Sequence, residues 1–121
     1  MATLKHHASL TVEKWAGYTF GRQLLMIANE TNRSAHWATR ADTAEARRCI
    51  ERAVELLQLT LATSQGISRL RELCRLKEVL LSLYSRPDIP ASDLQAAQRA
   101  LVARSPESWA LLSPMRGRTG S

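Results

Sequence analysis

Two apolar stripes joined by a short polar turn, spanning Thr43–Tyr84, most constrain this chain. In the first, Ala46, Cys49, Ile50, Ala53, Leu56, Leu57, Thr60 and Leu61 recur at steps of three and four. That spacing is one face of an α-helix. Arg47, Arg48, Glu51, Arg52 and Glu55 fill the other face, with Arg47/Glu51 and Arg52/Glu55 at ion-pair spacing. Asp42-Thr-Ala-Glu45 has capping-box spacing at its start, and Ser64-Gln-Gly66 stops it. The second stripe begins at Ile67 with Ser68 as a start signal. It continues through Leu70, Leu73, Cys74, Leu76, Leu80, Leu81, Leu83 and Tyr84, wider than one partner helix needs. Arg86-Pro87 ends it, since proline disfavours helical geometry in the residue before it. So short a turn predicts an antiparallel pair that the remaining chain covers.

Upstream, residues 10–39 read as one long helix, bent where Gly17 and Gly21 lie four apart. The other reading starts the ordered helix near Thr19 and docks the Trp15 segment separately. Downstream, Pro90 and Ser92-Asp-Leu-Gln95 open a fourth, shorter helix whose Leu94, Ala97, Ala100 and Leu101 face inward. It is poor in large side chains and is expected to be the least stable. Ser105-Pro106-Glu107 opens a brief extra turn carrying Trp109, Leu111 and Leu112. The expectation is an all-α fold: an up-down antiparallel four-helix bundle with a short extra C-terminal helical turn. Residues 1–9 form a flexible arm, 10–112 one domain and 113–121 a disordered basic tail. The 121 residues suffice for one domain.

No apolar run is long enough to span a bilayer. The Met-Ala-Thr-Leu-Lys-His-His start lacks a signal peptide's apolar segment, so a cytoplasmic location is expected. Cys49 and Cys74 fall on predicted core faces and read as buried reduced thiols. Without a CxxC they make no zinc site, and His6-His7 reads as solvated, so no metal is expected.

The formal charge is +6, from 17 basic and 11 acidic residues, and 14 of the basic residues are arginine. That balance favours an anionic partner, and arginine suits bidentate phosphate contact. The plain alternative is compositional background. Arg47, Arg48, Arg69, Arg71 and Arg75 are the chief candidates for nucleic-acid contact, with Arg33, Arg40, Arg116 and Arg118 as lesser ones. RNA is favoured over DNA. In Asn29-Glu30-Thr-Asn32-Arg33-Ser-Ala-His36-Trp37, a polar cluster flanked by a tryptophan suits a phosphate and a stacked base. The same residues also suit a solvated face with a Glu30/Arg33 pair and a Trp37 that covers the bundle end. Trp15, Tyr18, Leu70, Leu81 and Tyr84 are candidates for contact with a protein partner or with copies of the chain.

Catalysis is not expected, and no cofactor is implied. The chain has no glycine-rich phosphate loop, GxSxG, HExxH or DxDxDG. HEPN ribonucleases place a histidine several residues after an arginine. Here Arg33 and His36 have two residues between them, a departure from that pattern, so the activity is not carried over.

In size, basicity and its arginine-bearing helices, Arg47-Arg48…Arg52 and Arg69-x-Arg71…Arg75, the chain resembles the small four-helix-bundle accessory proteins grouped with Avd. Avd is the accessory variability determinant of diversity-generating retroelements. The resemblance covers most of residues 10–112. It implies a bundle that oligomerises into a basic ring or barrel and binds a reverse transcriptase and nucleic acid. The helical small subunits of CRISPR effector complexes are similar in size and charge.

Overall fold

A computed structural model describes residues 10–104. The arm at 1–9, the expected turn at Ser105-Pro106-Glu107 and the tail with Arg116 and Arg118 lie outside the described residues. Within them are five α-helices and no strand: α1 (Val12–Ala16), α2 (Phe20–Thr39), α3 (Thr43–Thr63), α4 (Ile67–Tyr84) and α5 (Ala91–Ala103). Helix α2 packs extensively on both α3 and α5. Helix α4 packs on α3 and more lightly on α5, and α1 lies on α3.

The centre is therefore α2, not the α3–α4 pair that the sequence suggested. The reason lies in side-chain size. The buried face of α2 includes Gly21, Ala28, Thr31, Ser34 and Ala35, which let two neighbours approach closely. Ser34 Oγ donates to the Ala46 carbonyl of α3 at 2.8 Å. On α5, Ala97 is buried beside Leu94 and Leu101, which are fully buried. Its scarcity of large residues thus goes with intimate packing on α2.

The long first helix does not form. The chain breaks at 17–19, as in the second reading, and Thr19 caps α2 by accepting from the Arg22 N–H at 3.2 Å. Gln23 Nε2 donates to the carbonyls of Trp15, at 2.8 Å, and Tyr18, at 3.3 Å, satisfying acceptors exposed by the break. Trp15 is fully buried.

Asp42 caps α3 as expected, accepting from the Glu45 N–H at 3.1 Å. Glu45 turns to Arg48 instead of completing the box. Gly66, at φ +95°, leads directly into α4 at Ile67, one residue before Ser68, with no side-chain cap. Helix α5 likewise starts at Ala91 behind Pro90 with no side-chain cap, so the Ser92–Gln95 box is not formed.

The core is aliphatic around Trp15. Leu24, Ile27, Ile50, Leu57, Leu73, Leu80, Leu94 and Leu101 are inaccessible to solvent or within 1% of it. Each such side chain stabilises by about 1.5–3 kcal/mol relative to exposure. Ile89, in the loop before α5, is also buried, a role its irregular surroundings concealed. Cys49 is in the core, but Cys74 is exposed, because α4 buries Leu73, Leu76, Leu80 and Leu83 and leaves Cys74 off that line.

Candidate nucleic-acid interface

The five chief arginines divide into two groups. Arg47 and Arg48 lie in the first turns of α3. Arg69, Arg71 and Arg75 lie in the first half of α4. Arg47 reaches across to the other end of α4, where Nε donates to the Tyr84 carbonyl at 3.0 Å and Nη2 to the Arg86 carbonyl at 2.6 Å. The Tyr84 carbonyl is one of those that a helix end leaves without an intrahelical partner, and Arg86 lies just past the C-cap Ser85. Tyr84 is thirteen residues beyond Arg71 along α4, a separation of about 20 Å. The two groups therefore form no single patch.

Their chemical states also differ. Arg47 is committed to two carbonyls rather than to the expected helix pair with Glu51. Arg48 is held by Glu45 at 2.6 Å. Arg69 lies over the Phe20 ring, 3.7 Å from its centroid, a cation–π contact that joins α4 to the start of α2. Arg71 and Arg75 are exposed, one turn apart, and have no ion pair among the described residues. Among the lesser candidates, Arg33 pairs with Glu30 at 3.4 Å. The exposed Arg40 sits 6.0 Å from the centroid of the Trp37 ring. Trp37 is half-buried and packs on the core, and His36 meets its edge at 5.5 Å between ring centroids.

Two cationic residues not singled out by the sequence border α4. Arg104 bonds Glu72 at 2.7 Å, and Arg86 lies 3.8 Å from Asp93. Phe20, Arg69, Glu72 and Arg104 line one depression; Arg75, Arg86 and Asp93 line a larger groove between α4 and α5. No periodicity signals these pairings, since each joins α4 or the loop after it to α5 or its C-cap.

The protein-contact candidates are also distributed unevenly. Trp15 belongs to the core and is removed from the surface: its indole N–H donates to Thr60 Oγ1 at 2.9 Å. Tyr18 is 39% exposed and meets the Trp15 ring edge-on. Leu81 is 43% exposed, and Leu70 and Tyr84 are half-buried. Tyr84 Oη donates to Glu51 at 2.7 Å, and that bond holds the phenol above its ordinary pKa. Leu81 and Tyr84 join Ile50, Glu51, Val54, Glu55 and Gln58 around a cleft between α3 and α4. Burial, then the charge of Glu30, raises the pKa of Cys49, which keeps that thiol protonated.

Among the described residues, no group of three or more His, Cys, Asp or Glu side chains is placed to hold a metal ion. No helix among them is long and apolar enough to cross a membrane. Neither a known protein family, nor a curated protein, nor a solved structure matches this chain.

Proposed function

We propose that this chain is a non-enzymatic accessory protein that binds nucleic acid, RNA in preference to DNA, through the arginine-bearing side of α4. The observation that carries the reading is the solvent-facing pair Arg71 and Arg75, free of ion pairs among the described residues, in a chain of net charge +6. Guanidinium groups that no carboxylate neutralises are available to phosphate oxygens. Arg69 extends the surface toward the start of α2, and Arg47 supports it by holding the end of α4. The four long helices are read as an up-down bundle acting in the cytoplasm beside a protein partner, either a reverse transcriptase or another ribonucleoprotein component.

Titration into labelled single-stranded RNA and duplex DNA at two salt concentrations tests this. The expected result is salt-sensitive binding that the double substitution Arg71→Glu/Arg75→Glu abolishes without loss of helicity. No binding at low salt overturns it.

A second reading is a homo-oligomeric interaction bundle, or a small subunit of a larger complex such as a CRISPR effector, with no nucleic-acid role. It is favoured by the apolar surface of the same helix, where Ile67 is 70% exposed and Val79 and Leu81 are each above 40%.

A further inference from the structure

Helix α4 carries two stripes. One, Leu73, Leu76, Leu80 and Leu83, is spent on the core. The other is a heptad seam of which only Tyr84 packs against the core. Ile67, Cys74 and Leu81 are seven residues apart, and Leu70, Lys77 and Tyr84 repeat the interval three residues later. These are the a and d positions of a coiled-coil repeat. Ile67, Cys74 and Leu81 are exposed, while Leu70, Lys77 and Tyr84 are half-buried. Ile67, Leu70 and Cys74 line one surface depression, and Leu81 and Tyr84 line the α3–α4 cleft farther along the helix.

We propose that this seam pairs antiparallel with the same seam of a second copy, about a two-fold axis just beyond Cys74. The inference deepens the assembly reading above and rests on it. In an antiparallel pair, a positions meet d positions. That sets Ile67 opposite Tyr84 of the second copy, Leu70 opposite Leu81 and Cys74 opposite Lys77. The flanking e positions are Arg71 and Glu78, exposed and without ion pairs among the described residues. The same register brings Arg71 to Glu78 of the second copy, and the symmetry repeats the contact. The parallel arrangement stacks Lys77 on Lys77 and leaves Arg71 and Glu78 opposite no charge. The charge pattern thus selects one orientation and one register.

Light scattering over a concentration series, without nucleic acid, measures the mass. The wild-type chain is expected to be a dimer. Arg71→Glu and Glu78→Arg each weaken it by about tenfold or more, through like-charge contact. The swap Arg71→Glu/Glu78→Arg restores it at unchanged net charge. Circular dichroism confirms that each variant is folded, and these exposed substitutions leave the core intact. A wild-type chain that stays monomeric, an assembly larger than a dimer, or a swap that fails to restore the dimer overturns the proposal. Nucleic-acid titration of the same proteins is read separately, so a wild-type dimer that binds no RNA even at low salt removes the first functional reading and leaves this inference standing.

Discussion

The indole N–H of Trp15 donates to Thr60 Oγ1 at 2.9 Å, joining residues 45 apart in sequence. The hydroxyl in turn donates a hydrogen bond to the Leu56 carbonyl at 2.8 Å, so Thr60 is both acceptor and donor inside the core. A five-residue helix is too short to persist alone. This bond and the burial of the ring explain how α1 is held on α3.

Thr60→Val keeps the volume and removes the acceptor. The buried N–H is then unsatisfied, at a cost of about 1–3 kcal/mol. Urea unfolding followed by tryptophan fluorescence measures it. Trp15→Ala, which also opens a cavity, is expected to cost about 3–5 kcal/mol.

Arg47→Met is expected to destabilise by about 1–2 kcal/mol, since its carbonyl contacts are charge-assisted but partly exposed. The salt dependence of RNA binding is expected to stay the same. Arg71→Gln and Arg75→Gln are expected to do the opposite, each lowering the salt slope by about 0.7 on single-stranded RNA with little effect on unfolding. The contrast separates an arginine that fastens helices from arginines that meet phosphate.

The two thiols are expected to differ in reactivity. Cys74 is exposed, whereas Cys49 is buried with its pKa raised. At concentrations where the chain is monomeric, a thiol-specific reagent at neutral pH is expected to modify one cysteine rapidly and the second only on unfolding. The Cys74→Ser variant is expected to lose the rapid phase alone.

Tyr84 links stability to alkaline pH. Its phenol is neutral while it donates to Glu51, and its folded pKa lies above the ordinary 10.0. That stabilisation is complete below the unfolded value and is lost as pH rises through the folded one. Tyr84→Phe is expected to flatten the decline above pH 10 in a series of unfolding midpoints.

Much of the fold was legible in the sequence. The period of three and four from Ala46 to Leu61 marks α3, and Asp42 marks its start. The Gly66 stop and Pro87 bracket α4. The break at Gly17 was visible only as an alternative, because whether two glycines bend or end a helix depends on Gln23 reaching back to the Trp15 carbonyl. The centrality of α2 was hidden because its buried small residues read as weak apolarity. The Arg47 latch was equally hidden, since its acceptors are main-chain carbonyls, which carry no side-chain signature. Cys74 was misplaced because its neighbours widen the α4 stripe beyond what the core uses.

The Arg47 contacts have a kinetic consequence. Helix α4 is joined to α3 through the Gly66 turn at one end and is fastened by Arg47 at the other, like a closed pin. Such a helix does not fray freely from its free end, because unwinding Tyr84 breaks the clasp first. Its amide protons should therefore exchange with solvent as one cooperative block, and opening the clasp should release the whole block together.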